Sequence, residues 1–120
     1  MVSNYIKGIN AESRVVQILL DSGHEILGRR VKTKYGEIDI LAFKNNTVIA
    51  IEVKQRKTLD IARECITTRQ MHRISKSLQL IISQRNISLE NYRIDVVLLD
   101  RIGNYEYIIN AFSFETDTEF

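Results

Sequence analysis

A chain of 120 residues has room for one domain built around one core. Its residues are 44% hydrophobic and 27% charged, as in an ordinary globular domain; no apolar run nears the roughly 20 residues of a membrane span, and the single cysteine, Cys65, excludes an internal disulfide. The net charge of +2 conceals a split, because residues 1–99 carry 16 bases and 10 acids while residues 100–120 carry one base and five acids. A phosphate-binding face with an acidic tail outside it therefore competes with a merely solvated surface.

The opening stretch, MVSNYIKGIN, lacks the apolar segment of a secretory leader, so the expectation is a cytoplasmic protein without a membrane. From about residue 5 to residue 22, Ile6, Ile9, Val15, Val16, Leu19 and Leu20 recur at helical spacing, and Gly23 fits a helix stop. Residues 25–33 can form a first strand, and GEIDILAF (36–43) reads as a second. Asn45-Asn46 signals a turn, after which TVIAIEVK (47–54) is a third strand. The segment 67–85 is helical, with Ile74, Leu78, Ile81 and Ile82 as its core stripe. RIDVVLL (93–99) is almost continuously apolar and so a central strand, while YEYIIN (105–110) is an edge strand. Residues 115–120 read as a frayed acidic tail, which leaves 1–114 as a single domain. The order α-β-β-β-α-β-β predicts an α/β fold with a mixed β-sheet flanked by helices.

Charge interrupts this pattern at a few positions. Alternation puts Val48, Ala50, Glu52 and Lys54 on one face of the third strand. In the second strand it puts Glu37, Asp39, Leu41 and Phe43 on one face and Ile38, Ile40 and Ala42 on the other. A hairpin through Asn45-Asn46 sets Asp39 beside Glu52, with Glu37 and Lys54 one step along. Adjacent carboxylates repel, and burial makes the repulsion worse. Lys54 could neutralise Glu52 and leave Asp39 solvated, but a divalent cation resolves the cost of three acids better. Magnesium takes a few carboxylates, keeps several waters and binds phosphate oxygens. Glu12 lies on the buried face of the first helix with Val15, Val16 and Leu19, either at the helix end reaching water or aimed at the acids. Gln70 lies on or beside the buried stripe of the second helix. His24, His72 and Cys65 share no zinc-ligand spacing.

The arrangement of Glu12 on a first helix, then Asp39, then Glu52-Val53-Lys54 and a further helix resembles the PD-(D/E)XK nuclease superfamily. It resembles more closely the YraN family of small bacterial proteins, predicted endonucleases related to archaeal Holliday-junction resolvases. The matching stretches are GINAE (8–12), GEIDIL (36–41), IEVKQR (51–56), QMHRI (70–74) and RIDVV (93–97), in order along most of the chain. GEIDxx followed by xEVKxR is the specific part of the signal; ExK alone is weak.

This resemblance implies a restriction-endonuclease-like core and a DNA endonuclease that uses Mg2+ or Mn2+ and leaves a 5′-phosphate and a 3′-hydroxyl. It implies that Asp39, Glu52 and the Val53 backbone carbonyl hold the metal and that Lys54 positions or deprotonates the attacking water. Glu12 becomes an auxiliary acid, as second-metal ligand or water orienter, and Glu37 a further candidate ligand. Arg30, Lys32, Lys34, Arg56, Gln70 and Arg73 become nucleic-acid contacts. The expected partner is DNA, branched or single-stranded, and by analogy with resolvases a homodimer would offer two sites to two strands. The sequence departs from the pattern twice: Ile38-Asp39 replaces the Pro-Asp dipeptide, as is usual in YraN-type members, and Gln70 stands where the family commonly has lysine. The alternatives are a nucleic-acid-binding domain of nuclease fold without significant activity, and a partner-binding domain whose charges form an internal ion-pair network.

Overall fold

The computed structural model describes residues 4–87 and 91–112, with residues 4–9 as backbone only. The stripe positions Ile6 and Ile9 and the acidic tail 115–120 lie outside what it describes in atomic detail. The elements are α1 (Asn4–Asp21), β1 (Glu25–Thr33), β2 (Gly36–Lys44), β3 (Thr47–Gln55), α2 (Leu59–Glu64), α3 (Thr68–Gln84), β4 (Asn91–Leu99) and β5 (Tyr105–Ile108). The strands form one sheet in the order β1-β2-β3-β4-β5, antiparallel throughout except for the parallel pair β3–β4. A parallel pair needs a crossover, and α2 with α3 supplies it. This is the mixed α/β sheet flanked by helices expected from the element order, and it is consistent with the restriction-endonuclease-like core that the resemblance implies.

One element was not expected. The α2 helix has six residues, too few for an apolar stripe to repeat. Its start is nevertheless written in the chain: the Thr58 hydroxyl accepts the Ile61 N–H at 3.1 Å, as the Thr67 hydroxyl accepts the Gln70 N–H at the start of α3. The end of α1 follows the sequence closely. Gly23 adopts φ +84°, the His24 N–H donates to the Leu19 carbonyl at 2.9 Å, and the Gly23 N–H donates to the Leu20 carbonyl at 3.1 Å. These two bonds form a Schellman stop, which favours glycine.

The sheet is covered on both faces. Ala11, Val15 and Leu19 of α1 pack on Ile40, Ala42, Ile49, Ile51, Val97 and Leu99. Met71, Ile74, Leu78 and Ile81 of α3 pack on Leu41, Val48, Ala50, Ile94, Val96 and Leu98. Central β4 is thus buried on both sides, which accounts for its continuous apolar run.

The hairpin register is the expected one, with Lys44↔Thr47 through Ile40↔Ile51 paired in sequence. The face assignment in β2 needs a correction. Ile38 joins Leu41 and Phe43 in the α3-side cluster, whereas Ile40 and Ala42 stay on the α1 side, so the alternation breaks at Asp39. Its neighbour on β1 shows the cause. Arg29↔Ile40 and Val31↔Ile38 are paired, but between them Arg30 takes a left-handed backbone with φ +49°. Both strands rotate there, and β2 parts from β3 beyond Ile40↔Ile51. Glu37 is paired with Lys32 on β1, and the β2–β3 pairing ends at Ile40↔Ile51, short of Glu37 and Lys54.

Candidate metal centre

The parting of β2 from β3 makes the site. A strand that loses its neighbour exposes a backbone donor, and Asp39 fills the gap: its Oδ2 accepts the Val53 N–H at 2.9 Å. The Asp39 side chain is thereby fixed beside β3 at the level of Glu52. Glu52 continues the α3-side face of Val48 and Ala50, as alternation requires, and is only 7% exposed.

Three groups converge on Glu52. Lys54 Nζ stands 3.7 Å from its Oε1, and the two side chains are 12% and 9% exposed. The Gln70 side-chain amide, near the start of α3, donates to the same oxygen at 3.4 Å. Asp39 faces it from the parted strand. Burial pushes the Glu52 carboxyl up to about 8, and the charge and hydrogen bonding of Asp39 push the same way; Lys54 and then Arg73 oppose it. Two carboxyls and one lysine in a nearly dry site thus leave one acid inclined to hold a proton at neutral pH.

Glu12 approaches from α1, on the opposite face of the sheet. It is 7% exposed, 3.1 Å from the Arg30 guanidinium and 3.8 Å from that of Arg29. Its Oε1 is buried without a hydrogen-bond partner. Burial raises its affinity for a proton, Arg30 opposes this, and the nearby Asp39 charge adds to it. Asp39 is therefore the hinge between two acids, Glu12 on one face and Glu52 on the other, reached through the split between β2 and β3.

Among the described residues no three His, Cys, Asp or Glu side chains converge into a ready-made metal cage. The donor set still suits magnesium or manganese, which bind through one or two carboxylates and keep much of their water. Buried Glu52 facing the half-buried Asp39 carboxyl, and a buried Glu12 oxygen without a hydrogen-bond donor, are both groups that a cation would satisfy.

The remaining candidates are placed as follows. Arg30 is engaged with Glu12. Lys32 and Lys34 are exposed on β1 and its turn, and half-buried Arg56 donates to the Gln55 carbonyl at 2.7 Å. Arg73 is exposed on α3 and lies across Gly36, whose missing Cβ would fall 2.9 Å from the Arg73 Nε. The structure brings together Asp39, Glu52, Lys54 and Gln70, with Glu12 behind them, while Glu37 lies beyond the last β2–β3 pair and is paired with Lys32.

Two clusters escaped the sequence reading. Asp95, fully buried, accepts from Arg93 Nε at 2.9 Å, from the Tyr107 hydroxyl at 2.6 Å and from the Asn110 N–H at 2.8 Å, tying β4 to β5. Thr33 and Ser77 share a hydrogen bond of 2.8 Å that pins the β1–β2 turn to α3. A buried serine in a helix was the one available signal for the second.

Comparison with known proteins gives a consistent result. The model of the uncharacterised protein family UPF0102 matches residues 11–99, a span that contains Glu12, Asp39, Glu52, Lys54 and Gln70. A UPF0102 protein of Rhodopseudomonas palustris is 38% identical, over 96% of this chain and 89% of its own length. One from Granulibacter bethesdensis is 35% identical over 92% of this chain and 70% of its own, and one from Persephonella marina 31% identical over 93% and 97%.

Proposed function

The chain belongs to the uncharacterised protein family UPF0102, and we propose that it is a metal-dependent endonuclease that hydrolyses DNA phosphodiester bonds. The observation that carries this reading is the Asp39–Glu52 pair, two carboxyls held together at the point where β2 leaves β3, with Lys54 3.7 Å from Glu52. No simple packing or pairing need explains that grouping; phosphodiester hydrolysis uses all three members.

Asp39 and Glu52, with the Val53 carbonyl, would hold Mg2+ or Mn2+. When bound, the ion would polarise a phosphate oxygen and offset the charge of the transition state. The chain's own groups do the rest. Asp39 is oriented by the Val53 N–H, which holds its carboxyl beside Glu52. The Lys54 ammonium, in a site shielded from water, stabilises negative charge as it builds on phosphate and orients a water for in-line attack. Gln70, at 3.4 Å from Glu52, stands where an amide can hold the carboxylate without adding charge. Glu12 would act from behind, through Asp39, as an acid or water orienter.

The direct test is incubation of purified protein with single-stranded, branched and duplex DNA and Mg2+ or Mn2+. Cleavage by wild type and a roughly hundred-fold or greater loss in Asp39→Asn are the expected outcomes. Equal inertness of wild type and Asp39→Asn on every substrate would remove the catalytic reading.

The second reading, a nucleic-acid-binding domain of the same fold without chemistry, is favoured by the exposed bases Lys32 and Lys34 on β1 and its turn and Arg73 on α3. It would leave DNA affinity unchanged by EDTA and by Glu52→Gln, with no cleavage under any metal.

A further inference from the structure

The turn between β1 and β2 does something the metal centre does not require. It presents Lys34 and Tyr35 between the paired ends Thr33↔Gly36, and it is fastened rather than loose. The Thr33 hydroxyl accepts the Tyr35 N–H at 3.1 Å and shares a 2.8 Å hydrogen bond with Ser77 of α3. Gly36 has φ +139° and lies directly under Arg73. The result is an aromatic residue on a fastened backbone, 38% exposed, lining a cleft of about 650 Å³.

The lining of that cleft is one-sided. Arg69, Arg73 and Lys76 contribute positive charge, and among the described residues no aspartate or glutamate lines it. Lys34 Nζ and Lys76 Nζ lie 5.3 and 5.9 Å from the centre of the Tyr35 ring. Both lysines hang on flexible exposed stems, so each can leave the ring for a phosphate and uncover an aromatic face. Gln70 lines the same cleft and donates to Glu52, and Arg73 lines it and lowers the proton affinity of Glu52 by its charge. Gln70 and Arg73 thus link the cleft to Glu52 of the acidic pair.

An exposed aromatic ring on a fastened turn among arginines and lysines, with no acid among the described lining residues, matches what an unpaired nucleotide requires: a surface for its base and cations for its backbone. A duplex hides its base faces and offers such a ring nothing. We infer that this cleft binds unpaired DNA nucleotides, with a base stacked on Tyr35 and the flanking phosphates on Arg73 and Lys76, and so feeds single-stranded segments to the Asp39–Glu52 centre. This inference rests on the nuclease reading for its last clause only; binding stands by itself.

The test is fluorescence anisotropy with a labelled 12-nucleotide oligothymidylate and with a mixed-sequence duplex of similar length, in EDTA so that no hydrolysis occurs. Tyr35→Ala should weaken binding of the single strand about ten-fold, within the range of one lost base stack, and leave duplex binding within about two-fold. Tyr35→Phe should retain single-strand binding, and a circular dichroism melt should show both variants folded. Unchanged single-strand affinity in Tyr35→Ala, an equal loss on both DNAs, or no single-strand binding by wild type at low salt would each overturn the inference. The two readings fail separately. Tyr35-dependent binding without cleavage under any metal leaves the inference standing and sinks the nuclease. Asp39-dependent cleavage that Tyr35→Ala leaves untouched, with binding likewise unchanged, does the reverse.

Discussion

Glu52 is the residue where the cost of the site is concentrated. Its folded carboxyl is raised from the ordinary 4.5 to about 8 by burial and by Asp39, so the folded state holds a proton that the unfolded state has released. Below the ordinary carboxylate range both states are protonated and the stability is full; it is lost as pH rises through the range up to about 8. Metal-free protein should therefore melt at progressively lower temperature between pH 5 and pH 8, and Glu52→Gln should flatten that slope and melt higher at pH 8; thermal melts across pH decide it. A slope unchanged by Glu52→Gln would mean another group carries it. Metal affinity should move the other way, rising with pH as the carboxyl gives up its proton. Lys54→Met tests the partner. It should lower cleavage roughly hundred-fold or more while metal binding persists, because its role is with phosphate and water rather than with the ion. At this scale the sequence was most informative: Glu52 and Lys54 stand out as charges in an apolar strand, and Gln70 as an amide beside an apolar stripe. Asp95 did not stand out, because its partners Tyr107 and Asn110 are far along the chain and only the fold makes them neighbours.

At the level of elements, the hairpin β1–β2 does two tasks, twisting at Arg30 and Asp39 and presenting Tyr35 at its tip. Gly36→Ala meets both a positive φ and the Arg73 side chain at 2.9 Å, and should cost about 1–3 kcal/mol in urea denaturation. Thr33→Val removes the hydroxyl that serves the Tyr35 N–H and Ser77, and should cost about 1–3 kcal/mol because Ser77 is left buried without it. The periodic elements α1, α3, β3 and β4 were legible because each buries an apolar face. The α2 helix was missed because six residues do not display a period. The reversal of faces at Asp39 was missed for a different reason: alternation assumes a regular strand, and the departure arises from Arg30, nine residues earlier, taking a left-handed backbone. Register survived this, since it was set from the Asn45-Asn46 turn outward and the kink lies at the far end.

For the whole molecule, the sheet acts as a wall with a slot in it. Glu12 and α1 stand on one side, Gln70 and α3 on the other, and Asp39 sits in the slot where β2 leaves β3. No helix is long and apolar enough to cross a membrane among the described residues, and the cleft along α3 is lined by Arg69, Arg73 and Lys76. With Lys34, Arg69, Arg73 and Lys76 on phosphates, log affinity for single strands should fall with log salt at a slope of about −3, measurable by anisotropy titrations at several salt concentrations. A metal bound only by the folded state should raise the melting temperature by roughly 10 °C at about one hundred times its Kd. Neither the pH slope nor the salt slope locates the ion, and the central claim is a location. Crystals grown near pH 8 and soaked in Mn2+, with anomalous diffraction collected at the manganese edge, address it directly. The expected result is one manganese peak about 2.1 Å from carboxylate oxygens of both Asp39 and Glu52. Manganese bound elsewhere, or an Asp39–Glu52 pair that stays empty at millimolar Mn2+, would contradict it.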